Sequence, residues 1–166
     1  LHEKLTGEPQ MQNAETRPWE WAPPPIMNRM MAIMLRTPII RRPMSKMILL
    51  LTYTGRKSGK TFTFPIGYWK QGDTVILLTK RFRSWWHNFQ QPAPVTIRIG
   101  GQTYTGQAQA STDDTLITPR LISLMEGQSR QAQVWHIHLD ANGKPNLEDI
   151  RAITPKIVMI QIDLSH

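Results

Sequence analysis

Residues 47–110 are written as short apolar runs separated by glycine turns, and this punctuation leaves little choice of fold. The run MILLLTY at 47–53 is nearly continuous in apolar residues and is expected to be buried on both faces. It is followed by TGRKSGK at 54–60 and then by the β-rich run FTFPIGYW at 62–69. Two β-runs joined by a short glycine-containing segment read as a hairpin. Gln71-Gly72-Asp73 is a second turn, with a strand over 74–79 after it. The strand at 95–99, the turn Gly100-Gly101 and the strand at 102–110 form another hairpin. A last strand is expected over 157–162.

The stretch TGRKSGKT resembles a nucleotide-triphosphate loop, but it fails that pattern. Only three residues stand between Gly55 and Gly59, where a P-loop has four. The run after it is β-like and carries Pro65, so no helix N-terminus faces the loop. The segment is the tip of a hairpin.

Helical signals are fewer. Residues 84–91 read as a short helix ending before Pro92, and Asp113 or Asp114 caps a helix running to about Met125. Residues 126–146 stay ambiguous apart from the Asn142-Gly143 turn. Residues 1–25 are polar and then proline-rich, and read as an extended arm. Residues 26–36 read as a methionine-rich helix flanked by arginines, either packed on the core or resting on anionic lipid. The domain expectation is an arm over 1–25 and one domain over 26–166. The fold expectation is α+β, mainly β: a barrel of about six mostly antiparallel strands with peripheral helices.

Composition narrows the partners. The chain has 166 residues, a net charge of +8 and no cysteine, so disulfides and thiolate metal sites are excluded. Residues 21–83 hold twelve Lys/Arg against a single acid, Asp73. This asymmetry points to an anionic partner: a phosphorylated cofactor, a nucleic acid or a membrane surface; the alternative is a solvated basic face. Residues 26–42 are the candidate for peripheral membrane contact. No apolar run approaches the roughly 20 residues that span a bilayer, no signal-peptide pattern is seen, and a cytoplasmic location is expected.

His136 and His138, two apart, would share a face on a strand. That spacing can hold a metal, yet no acidic or histidine partner stands at a useful spacing, so no metal is expected. His87 is expected to pack or hydrogen-bond.

The motifs taken together carry a resemblance. They are LTYTGRKSGK at 51–60, FPIGY at 64–68, SWWHNF at 84–89 and VTIRI at 95–99, with residues 154–164 as a closing strand. In that order they resemble the deazaflavin-dependent nitroreductase family, over roughly residues 47–110. The resemblance implies a split β-barrel of the FMN-binding type and coenzyme F420, a deazaflavin with a phosphodiester and an oligoglutamate tail. FMN is the alternative cofactor.

The implied activity is hydride transfer from reduced F420 to an electrophilic acceptor: a quinone, an enone or a nitroaromatic. The coenzyme carries the reaction, and the protein orients and desolvates. Gly55 and Gly59 would let backbone N–H groups approach the anionic tail. Arg56 would grip phosphate, Lys57 and Lys60 would act as point charges, and Ser58 would donate a hydroxyl. Pro65, Ile66, Gly67 and Tyr68 would line the ring, and Thr79 and Lys80 would sit near its polar edge or the phosphate. Trp85 and Trp86 would wall the pocket, with core packing as their alternative role. Asn88 is expected to be a structural hydrogen-bonding group. The acceptor's proton would come from water, Tyr68, His136 or His138.

The chain departs from the family pattern twice. Residues 81–84, Arg-Phe-Arg-Ser, replace a longer Gly/Pro-containing loop, and residues 131–138 lack the tyrosines often found there. Two other classes compete with this reading. One is an FMN-binding or non-catalytic ligand-binding barrel. The other is a basic barrel for single-stranded nucleic acid, although nothing in the motifs requires nucleic acid and none is expected as a partner.

Overall fold

The structure is a computed structural model and describes residues 47–165. The expected arm over 1–25, the helix over 26–36 and the contact segment over 26–42 lie outside these residues.

Six strands close into an antiparallel barrel: β1 (Ile48–Thr54), β2 (Thr61–Gln71), β3 (Thr74–Lys80), β4 (Ala93–Ile99), β5 (Gln102–Ser111) and β6 (Ile157–Leu164), in the order β1-β2-β3-β6-β5-β4. The expected hairpins are present, and the mainly β barrel is the one the turn punctuation anticipates. Between the strands stand a 3₁₀ helix at Trp85–Phe89 and the helices α1 (Asp114–Met125), α2 (Ser129–Val134) and α3 (Leu147–Ile153). No described helix is long and apolar enough to cross a membrane.

The two-residue period of the strands sorts the core into two clusters. Leu49, Leu51, Tyr53, Val75, Leu77, Val95, Ile97, Ile160 and Ile162 fill the barrel interior with Trp86 and Phe89. The alternate residues Ile76, Leu78, Ile157 and Met159 face outward and are covered by Ile117, Leu121, Leu124, Met125 and Ile150 of the helices. Strands β3 and β6 are therefore apolar on both faces, because both faces are buried. The expected burial of the 47–53 run holds for Leu49, Leu50 and Leu51.

Strand β2 changes partner along its length. Its first seven residues pair with β1, from Thr61↔Thr54 to Gly67↔Ile48. Its last four pair with β3, from Tyr68↔Leu77 to Gln71↔Thr74. Ladder pairing between β2 and β3 thus stops at Tyr68 and Leu77, and the seam opens toward Thr61 and Lys80. Pro65 sits on that open stretch, where its missing N–H breaks no ladder to β3. This is the split of the barrel, and it sets the site at one end.

Elements at the other side of the chain differ from expectation. The helix read over 84–91 is a shorter 3₁₀ helix. The ambiguous region contains α2 and leads into α3, which Asn146 caps: its side-chain oxygen accepts from the N–H groups of Glu148 (2.8 Å) and Asp149 (3.2 Å). His136 and His138 are not on a strand. His136 follows α2 with φ 56°, a turn conformation. His138 does have an acidic partner: its Nδ1 lies 2.8 Å from Asp149 Oδ2. Eleven residues separate them, so a search for short metal-ligand spacings passes over the pair. No group of three or more potential metal ligands occurs among the described residues.

Candidate functional site

The β1–β2 tip is built by its glycines. Gly55 N–H donates to Lys60 O and Gly59 N–H to Gly55 O, both at 2.8 Å, closing the loop on itself. Gly59 has φ +64°, which favours glycine. A Cβ at Gly55 would lie 2.7 Å from Ser58 Oγ and 2.9 Å from the Phe62 ring. The N–H of Arg56 donates to Asn88 Oδ1 at 2.9 Å, and that of Lys60 to Ser58 Oγ at 3.3 Å. Four of the tip's backbone donors are thus engaged internally. Those of Lys57 and Ser58 have no partner among the described residues. The backbone cradle is smaller than the two glycines suggest, and an anion here meets mainly side chains.

An open cleft of about 910 Å³ lies where this tip meets the loop after β3 and the 3₁₀ helix. Arg56, Lys57 and Ser58 form one wall and Arg83, Ser84 and Trp85 another, with Tyr53, Phe62 and Phe64 between them. Phe62 and Phe64 share a face of β2, two residues apart. Tyr53 stacks on Phe62 with ring centroids 5.5 Å apart, and Trp85 meets Phe64 edge-on at 4.9 Å. No acidic side chain lines the cleft among the described residues.

Asn88 holds the two walls in register. Besides accepting from Arg56, it donates through Nδ2 to Trp85 O at 2.7 Å. It is the structural hydrogen-bonding group expected. His87 Nδ1 lies 2.8 Å from Ser84 O. A carbonyl only accepts, so Nδ1 carries the hydrogen.

Two buried donors in the lining lack acceptors among the described residues: Trp85 Nε1 and Arg83 Nε. Burial lowers the affinity of Arg83 for its proton, yet a guanidinium stays charged at neutral pH. Burial raises the Tyr53 phenol above its ordinary value, so it keeps its proton.

The expected site residues divide. Gly55, Arg56, Lys57, Ser58 and Trp85 line the cleft, and Gly59 and Lys60 complete the tip. Trp86 instead enters the barrel core, 8% exposed, with Nε1 donating to Arg81 O at 3.1 Å. Ile66 packs against the barrel cluster. Pro65 and Gly67 lie on β2 outside the cleft lining. Tyr68 lines a separate cleft of about 570 Å³; burial first, then Tyr104, raises its phenol pKa. Thr79 is buried at 4% exposure. Lys80 borders a small apolar pocket of about 200 Å³ with Phe82 and Trp135; burial first, then Arg83, lowers its pKa. His136 and His138 lie outside the cleft lining.

Sequence reasoning missed Tyr53, Phe62, Phe64 and Arg83 as lining residues. The aromatic side chains directly flanking the cationic tip at the hairpin's base were the available signal.

The family model for F420H(2)-dependent quinone reductase matches residues 29–142, more than half of the chain. The chain belongs to the F420H(2)-dependent quinone reductase family. It is an oxidoreductase and its coenzyme is F420. No curated relative matches the chain in sequence.

Several solved structures are similar in shape at low identity. The heme storage protein HutZ from Vibrio cholerae shares 12% identity over 72% of this chain and 82% of its own, with a TM-score of 0.49. A FAD and heme binding protein from Mycobacterium smegmatis shares 11% over 74% and 63%, at 0.49. An F420-H2 dependent reductase, FDR-A, shares 17% over 69% and 92%, at 0.46.

The residues present fit this quinone reductase family's coenzyme. A cationic tip with no acid in the cleft lining suits an anionic tail, and an aromatic wall suits a planar ring.

Proposed function

We propose that this member of the F420H(2)-dependent quinone reductase family transfers hydride from reduced F420 to a quinone in the cleft at the barrel's split. Enones and nitroaromatics are electrophiles of the same kind and belong to the same proposal. The single observation that supports it is the lining itself: Arg56, Lys57 and Arg83 stand around an aromatic wall with no acid among them.

Bound F420 supplies the hydride. The chain's own residues supply the setting. Arg56 and Lys57 hold the anionic tail by charge, Arg56 with a planar fork and Lys57 as a point charge. Ser58 adds a hydroxyl. Trp85, Phe64 and Phe62 give an apolar aromatic surface that excludes water and orients a ring. Tyr53, protonated at neutral pH, stands at this wall as a proton donor to the reduced acceptor, in place of Tyr68, His136 or His138.

The test is a fluorescence titration with oxidised F420 and with FMN. Wild type is expected to bind F420 saturably and in preference to FMN. Arg56→Ala with Lys57→Ala is expected to weaken F420 roughly ten- to hundred-fold while the thermal melt is retained. Equal affinity in wild type and double variant would refute the assignment of the tip.

A further inference from the structure

The segment after β3 carries two arginines around Phe82, and the fold uses them differently. Arg81 is engaged in structure: its Nη2 donates to Thr112 O at 2.9 Å and lies 3.4 Å from Asp114 Oδ1. Arg83 lines the cleft beside Ser84 and Trp85. The segment is held at both ends. Arg81 N–H donates to Lys156 O at 2.7 Å, Arg83 N–H to Lys80 O at 3.1 Å, and Trp86 Nε1 to Arg81 O at 3.1 Å. Asn88 then ties this wall to the tip, donating to Trp85 O at 2.7 Å and accepting from Arg56 N–H at 2.9 Å. Two cationic walls are thereby fixed relative to one another, with Tyr53, Phe62 and Phe64 between them.

None of Arg56, Lys57 and Arg83 belongs to an ion pair among the described residues, and no acid lines the cleft among them. Three cations around one concave, partly apolar space repel one another, and apolar walls strengthen the field they sum to. Arg83 is half-buried, and the charge it acts on is another cation, Lys80. A single anion at the tip answers Arg56 and Lys57 and leaves Arg83 uncompensated. A ligand with anionic groups at separate points around a planar ring answers both walls, while its ring covers the aromatic residues.

We infer that Arg83 is a specificity-determining residue of this cleft: together with Arg56 and Lys57 on the other wall, it selects planar ligands that carry more than one anionic group. Charge number, and not the ring alone, sets the affinity. This deepens the proposed function and rests on it for the natural ligand, F420, whose phosphodiester and tail carboxylates are separate anions. For the selection rule itself it rests on the cleft's lining. Arg83 acts on binding, ahead of hydride transfer, so its effect is read in affinity.

The probes are pyrenemonosulfonate and pyrenetetrasulfonate, one fluorescent ring with a single anionic group or with several. Wild type is expected to bind the tetrasulfonate about tenfold more tightly. Arg83→Gln should weaken the tetrasulfonate roughly tenfold and the monosulfonate by no more than about twofold, because a single anion settles on the tip. Arg83→Lys keeps the charge and should recover most of the loss. Arg151→Gln removes the same charge from α3, outside the cleft lining, and should change neither affinity. In wild type the preference for the tetrasulfonate should shrink to about twofold at about 1 M salt, where the Debye length is about 3 Å. A preference that survives such salt overturns the inference, whether or not the variants fold. Thermal melts establish which variants are folded. Equal losses for both probes in Arg83→Gln would show a packing role, and equal losses in Arg83→Gln and Arg151→Gln would show an effect of net charge; either overturns selection by Arg83.

F420 is then compared with the same deazaflavin stripped of its phosphodiester and tail. Arg83→Gln should narrow the preference for F420 over the stripped form roughly tenfold. An unchanged preference overturns the role of Arg83 while F420 binding through Arg56 and Lys57 stands. If F420 fails to bind wild type while the pyrene series still depends on Arg83, the coenzyme reading of this cleft falls and the charge selection stands.

Discussion

The backbone N–H of Arg56 donates to the side-chain oxygen of Asn88 at 2.9 Å, across 32 residues of sequence. Through this bond the hairpin tip and the 3₁₀ helix hold one another at the mouth of the split. Asn88 also donates to Trp85 O at 2.7 Å, so one amide fixes a residue on each wall. Asn88→Ala is expected to cost about 1–2 kcal/mol of stability from the two lost bonds. Its effect on the coenzyme should be larger in proportion, with F420 affinity falling roughly tenfold as the walls lose register. Asn88→Asp keeps the acceptor for Arg56 but loses the donor and adds a negative charge to the cationic cleft, and should weaken F420 further than alanine does. Fluorescence titration alongside thermal melts separates the two effects; an alanine variant that melts lower but binds F420 normally would contradict it.

The two adjacent tryptophans show where sequence reasoning stops. Both sit in one motif, which gives each the same two roles, pocket wall or core. The 3₁₀ helix turns Trp85 into the cleft and Trp86 into the barrel. Which of two neighbours faces inward depends on the rotation of a five-residue helix, and so short a segment shows no periodicity to read. The strands were legible because apolar, β-rich runs bounded by turn residues persist over 7–11 residues. The tip was legible because Gly55 and Gly59 punctuate a polar stretch between two β-runs, and Gly59 indeed takes φ +64°. Arg83 was not, because nothing local distinguishes a cation turned toward a cleft from one in solvent. The His138–Asp149 pair was missed because tertiary folding joins them.

Trp86→Phe tests this division. The ring still fills the core, but Nε1 no longer reaches Arg81 O. Stability should fall by about 1 kcal/mol, read from chemical denaturation. F420 affinity should change little, because the lost atom faces the barrel. A loss of affinity comparable to that of Trp85→Phe would place Trp86 functionally in the cleft and sink the division.

Glycines at 55 and 106 should respond in opposite ways. A Cβ at Gly106 would stand 2.5 Å from Asp163 O, on the backbone of the paired strand β6. Backbone in a closed barrel yields little, so Gly106→Ala is expected to destabilise by about 1–3 kcal/mol. At Gly55 the nearest atoms are the side-chain ends Ser58 Oγ and the Phe62 ring, and both can rotate. Gly55→Ala should therefore spare stability and disturb the cleft, lowering F420 affinity. Denaturation midpoints and titrations of the two variants check the contrast; similar stability losses in both would remove it.

Acid stability should be governed in part by Asp113 and Asp149. The Thr115 hydroxyl, then the Thr115 backbone N–H, hold Asp113 below its ordinary value of 3.8. The His138 backbone N–H, then its ring, do the same for Asp149. A depressed carboxylate adds stability that is complete above its unfolded value and is lost as pH falls through the folded one. Above about pH 5 both groups are ionised in folded and unfolded chains alike, and the curve is flat in their respect. As pH drops past 3.8 the unfolded chain takes up protons first, and the native state loses ground until its own lower values are passed. Asp113→Asn retains the cap, since an amide oxygen still accepts from Thr115 N–H, but it removes the titration. Asp113→Asn and Asp149→Asn are each expected to reduce proton uptake on unfolding by up to about one proton in this acid limb. The measurement is the slope of unfolding free energy against pH from denaturant curves below about pH 5. Slopes identical to wild type in both variants would show that these carboxylates titrate alike in the folded and unfolded chain.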